Sequence, residues 1–118
     1  MLRIKTSVLL GPLLGAFAFA VQAAEEDHAH EFTAEVNAFH QVMAPLWHAP
    51  KDAERMAGTC ATLPQMNALA DRIKAANVGL LKDALKGMEQ PCGSGNERAF
   101  EAAFEQLHDA FHAVSEHP

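Results

Sequence analysis

The stretch CATLPQMNALADRIKAANVGLLKDALKGMEQPC, residues 60–92, decides the fold, because it opens and closes on the only two cysteines of a 118-residue chain. Inside it, Met66, Leu69, Ala70, Ile73, Leu80, Leu81, Ala84, Leu85 and Met88 recur at helical spacing and suit one long helix. A continuous helix from Thr62 to Glu89 rises about 1.5 Å per residue and holds its ends about 40 Å apart. Bridged cysteines need Cα atoms within about 7 Å of each other. A disulfide between Cys60 and Cys92 therefore requires a break, placed at Asn77-Val78-Gly79, and two antiparallel helices.

The case for that disulfide starts at the N-terminus. Arg3 and Lys5 form a positive segment ahead of an almost unbroken apolar run, Val8 to Val21, which contains Gly11, Pro12 and Gly15. This is the pattern of an export signal. Val21-Gln22-Ala23 offers small or apolar residues for cleavage after Ala23, and Glu25-Glu26-Asp27-His28 then turns abruptly polar. The run is too short and too glycine-broken for a bilayer span, which wants about 20 apolar residues. The chain divides into a signal peptide (1–23), a mobile acidic and histidine-bearing tail (24–30) and a helical domain (31–118). Export places the domain in the periplasm, an oxidising compartment where two structural cysteines bridge. Their spacing is not the C-x-x-C of a redox-active pair.

Outward from the central stretch the helical signal continues. Phe32, Val36, Phe39, Met43 and Leu46 repeat at spacings of 4, 3, 4 and 3, predicting a first helix from Glu31 to Ala44 that Pro45 kinks or ends. Pro50 suits the first turn of a short helix, Lys51 to Cys60. Thr62-Leu63-Pro64-Gln65 reads as a capping box and the start of the next helix. After a loop, Gln90 to Gly95, Asn96 caps a last helix running to Ser115, with Phe100, Phe104, Leu107, Phe111 and Val114 at the same spacing as the first. Few β-branched residues and an abundance of Ala, Leu, Met, Glu and Lys leave no strand pattern. The expected fold is all-α, an up-down-up-down four-helix bundle with one disulfide, Cys60–Cys92.

Loss of Arg3 and Lys5 with the signal moves the formal net charge from −6 to about −8. Nucleic acid and anionic membrane are not the partners of such a surface. The functional signal is in the histidines. All seven follow the signal: His28 and His30 in the tail, His40 and His48 around the first helix, His108, His112 and His117 in or after the last. His108 and His112, four residues apart, stack on one helix face at a Cβ separation of about 6 Å and can chelate one divalent ion. Glu105 lies one turn earlier and can add an oxygen donor. His40 and Met43 form an H-x-x-M on the first helix, beside a core position as His108 is. Imidazole with thioether suits copper, and imidazole with carboxylate suits zinc or Cu(II).

The opposing reading makes Met43 a core residue, His108 and His112 wet flanks of the Leu107–Phe111 seam, His48 a hydrogen bonder at the corner turn, and the tail a solvated leader. No H-E-x-x-H, G-x-S-x-G or phosphate-cradling glycine loop occurs, a single Glu-x-x-His falls in a helix, and no enzyme is expected.

An exported four-helix layout of this length, with Met43 on the first helix and histidine on the last, resembles the periplasmic cytochromes of the four-helix-bundle class. For the b-type members the resemblance implies a non-covalent haem held between Met43 and His108 or His112. The C-x-x-C-H of the c-type members is missing. The sequence thus points first to a periplasmic transition-metal-binding protein, for copper or zinc, that buffers, delivers or confers tolerance, with His40, Met43, Glu105, His108 and His112 as ligands. Its partners would be the ion and a periplasmic metal-handling protein, and acid would release the ion as the imidazoles protonate. A haem-binding electron carrier and a cofactor-free helical interaction module are the alternatives.

Overall fold

The computed structural model describes residues 32–117; the expected signal peptide (1–23), the expected tail (24–30), Glu31 and Pro118 lie outside the described residues. Five helices are described: α1 (Ala34–Trp47), α2 (Ala53–Ala70), α3 (Val78–Gly87), a short α4 (Glu89–Ser94) and α5 (Glu97–Glu116). The four long ones form the bundle in sequential order, each packed on the next, with α5 returning to lie beside α1. Among the described residues no helix is long and apolar enough to cross a membrane.

Three of the five helices, α1, α2 and α5, begin where a side chain satisfies a free amide. Thr33 accepts from the Val36 amide at 3.2 Å, Asp52 from Arg55 at 3.0 Å, and Asn96 from Ala99 at 2.9 Å. Gly95, at φ 72°, supplies the left-handed residue that ends α4 and frees Asn96 to start α5. The core follows the seams the periodicity predicts, except that Leu80 is 52% exposed and Phe32, Leu46, Leu69 and Ala84 are only partly buried. Val36, Phe39 and Met43 of α1 meet Leu63, Met66, Leu81, Leu85 and Met88, with Phe100, Phe104, Leu107, Phe111 and Val114 of α5.

Several boundaries differ from expectation, the first being the start of α1, which lies at Ala34 behind the Thr33 cap and not at Glu31. The helix α1 passes through Pro45 and ends at Trp47, because a proline so close to a C-terminus removes only one helical amide bond. The expected short helix and its successor are one helix, α2, running through Pro64. Thr62 does not cap it, since its hydroxyl donates to the Gly58 carbonyl at 2.7 Å inside the helix. The buried positions Arg55, Thr59, Leu63, Met66 and Ala70 keep helical spacing straight across the supposed boundary. The break between the central helices falls at residues 71–77, and α3 restarts at Val78, so Gly79 is already helical.

The disulfide is present, Cys60 to Cys92, with Cα atoms 5.7 Å apart. Cys60 lies within α2 and Cys92 within α4, a helical turn where a plain loop was expected. A staple that closes 32 residues removes unfolded-state entropy equivalent to roughly 3 to 4 kcal/mol.

Candidate functional site

The α5 helix presents two different stripes. Toward α1 it turns Phe104, His108, Phe111 and His112. The α1 helix answers with His40, Met43, Ala44 and Trp47, Phe32 joins them from just before its N-cap, and His48 follows at its C-cap. The helices are antiparallel, and ring contacts fix their register: Trp47 lies over Phe104 and His108, while Phe32 and His40 lie over Phe111.

Between them is a cleft of about 60 Å³, lined by His40, Met43, Trp47, His48, His108 and His112 together with Phe32, Ala44 and Phe111. The structure thus brings together four of the five residues the sequence singles out, His40, Met43, His108 and His112. Glu105 is exposed and does not line the cleft, so the expected N, N, O set from α5 alone is not assembled. His28 and His30 lie outside the described residues, and His117 is an exposed cap at the end of α5.

The rings are held by stacking. The Trp47 indole lies parallel to His108, centroids 3.9 Å apart with 7° between planes. His40 stacks on Phe111 at 5.5 Å and meets the edge of Phe32 at 5.2 Å. His108 and His112 stand nearly perpendicular, and their Nε2 atoms approach to 3.3 Å. His112 Nδ1 faces Glu116 Oε2 at 3.7 Å.

Burial holds the pKa of His108 below the ordinary value, and the neighbouring His112 lowers it further. His48 adds to that effect, while Asp109 and Glu105 oppose it. Among the described residues no three His, Cys, Asp or Glu side chains are gathered into a ready-made centre. His108 and His112 are the preassembled pair, and the other donors are ranged along the same cleft.

Beneath the cleft sits Arg55, which the sequence reading passed over. Its side chain is 1% exposed. Nη1 donates to the carbonyls of Leu46 at 2.9 Å, Ala49 at 3.3 Å and Trp47, while Nε and Nη2 grip both oxygens of Glu101 at 3.0 and 2.9 Å. The guanidinium also lies over the rings of Trp47 and Phe104, at 5.1 and 4.8 Å. Arg55 therefore ties the free carbonyl end of α1, and with it Trp47 and His48, to α2 and α5. Its place in the buried series Arg55, Thr59, Leu63 is the signal that would have found it. His48 was legible too, one residue beyond the stripe His40, Met43, Trp47.

Haem does not fit here. Met43 and His108 share the cleft, but pockets that enclose a cofactor-sized ligand hold roughly 300 to 1,000 Å³, against about 60 Å³. The space suits an ion with its ligands. The chain was compared with protein-family models, curated proteins and solved structures, and none of them matches it.

Proposed function

We propose that this chain is an exported transition-metal-binding protein that holds copper or zinc in the cleft between α1 and α5 and serves in buffering, delivery or tolerance in the periplasm. One observation carries the reading, the 3.3 Å separation of the Nε2 atoms of His108 and His112. An ion about 2.0 to 2.1 Å from both nitrogens at the tetrahedral angle sets them about 3.3 to 3.4 Å apart. The pair already has the spacing that a tetrahedral ion imposes.

Further donors come from α1, where His40, Met43 and His48 line the same cleft. Exposed His48 reaches the ion by rotamer change. Trp47 and Phe111, stacked on His108 and His40, limit the motion of the two half-buried rings. The periplasmic part of the reading rests on the apolar run Val8 to Val21 and on the bridged cysteines. The partner is a periplasmic metal-handling protein that takes the ion from the exposed rim.

The test begins with elemental analysis of untagged protein purified from the periplasm without chelator, with about one equivalent of copper or zinc expected. His108→Ala combined with His112→Ala should then lower affinity for that ion by about 100-fold or more and leave helicity unchanged. Affinity retained in the double variant overturns the proposal.

A further inference from the structure

The candidate donors lining the cleft share one property: each binds a metal as a neutral ligand, through an imidazole nitrogen or a thioether sulfur. Imidazoles of His40, His48, His108 and His112 and the thioether of Met43 line it, and among the described residues no carboxylate does. The remaining walls, Phe32, Ala44, Trp47 and Phe111, are apolar. Glu116 stands behind His112, on the outer nitrogen, and Glu105 and Asp109 act on His108 only through space.

Two arguments follow from that lining. The cost of desolvating an ion grows as the square of its charge, so neutral ligands in an apolar cleft penalise a dication about four times as heavily as a monocation. Among the described residues Met43 is the one sulfur lining the cleft, it is 2% exposed, and both cysteines are bridged elsewhere. Thioether with imidazole favours Cu(I), whereas zinc draws its affinity from thiolates, carboxylates or a full imidazole set.

We infer that the ion this cleft selects is Cu(I), and that Met43 is the ligand that confers the selection. The inference rests on the metal-binding reading above and narrows it to one oxidation state. Exposed His48 and His112 form the rim through which the ion enters, while half-buried His108 and buried Met43 form the floor.

The test uses metal-free protein and its Met43→Leu variant, a change that nearly conserves core volume. Cu(I) is titrated anaerobically against bicinchoninate, and zinc against a chromogenic zinc chelator. The wild type is expected to bind Cu(I) at least about 100-fold more tightly than zinc, and Met43→Leu to weaken Cu(I) about tenfold or more while moving zinc less than about twofold. X-ray absorption of the Cu(I)-loaded wild type gives a readout independent of the variant, with a sulfur scatterer expected in the first coordination shell. A wild type that prefers zinc overturns the Cu(I) assignment, a copper shell of nitrogen alone overturns Met43 as the selecting ligand, and either result leaves the histidine site standing. A wild type that binds neither ion overturns both.

Discussion

The two sides of α5 make opposite use of the same helix. Toward α3 its stripe is Ala103, Leu107, Ala110 and Val114, and the two helices lie close together along their length. Toward α1 its stripe is Phe104, His108, Phe111 and His112, and the approach is wider. Helix separation follows the bulk of the side chains at the contact, over a range of about 8 to 10 Å. Alanines let α3 come near, whereas stacked rings hold α1 off and leave a cleft in the gap. The narrow seam supplies stability and the wide one leaves open space. Asn77, which donates to the Ala113 carbonyl at 3.0 Å, pins the narrow seam where α3 begins, and Arg55 pins the wide one where α1 ends.

Removing the Arg55 pin should have the largest effect. Arg55→Met strands Glu101 and three carbonyls and should cost about 3 kcal/mol in urea unfolding, the lower part of the range for a broken buried pair, because Glu101 keeps 24% of its side chain exposed and can rehydrate. A loss below about 1 kcal/mol would show that ring stacking alone holds α1 at its distance.

Adding bulk to each seam separates them more finely. Ala110→Leu on the narrow side should destabilise by about 1 to 3 kcal/mol through overpacking. Ala44→Leu, which projects into the cleft, should cost less than about 1 kcal/mol and should weaken metal binding by filling the space. Equal costs for the two would mean that the cleft is not a real gap in the packing.

The smallest effect is in acid. His108 has a folded-state pKa below its unfolded value of about 6.5, so the unfolded chain takes up the proton more readily. The stability due to neutral His108 is complete above that unfolded value and is lost as pH falls from it through the lower folded one. The metal-free protein should lose stability across this window, and His108→Gln should flatten the decline. Resolved by nuclear magnetic resonance, the His108 ring should titrate below the usual histidine range and move back toward it in His112→Ala.

The bundle was legible because its apolar spacing is regular and because two cysteines forbid a single long central helix. The junction between the expected short helix and its successor was misread because Thr62-Leu63-Pro64-Gln65 has the composition of a helix start. Helical continuity there is decided by burial of Thr59 and Leu63 on one face, which outweighs one missing amide at Pro64. His108 and His112 were legible from their spacing within one helix. That His40 and Met43 share their cleft was not, since it depends on the register between α1 and α5, and that register is set by long-range contacts such as Trp47 on His108. The grip of Arg55 on the end of α1 lay equally beyond a reading of local pattern.

The stacked indole has one more consequence. The sequence holds a single tryptophan and no tyrosine, so nearly all the intrinsic ultraviolet emission of the protein arises at Trp47. That ring rests face to face on His108 and within reach of the Arg55 guanidinium. A bound ion, a charged imidazole or a loosened α1 terminus each alters the surroundings of this one fluorophore. The molecule carries its own optical probe at its most informative corner, and no dye or label is needed to watch the cleft fill.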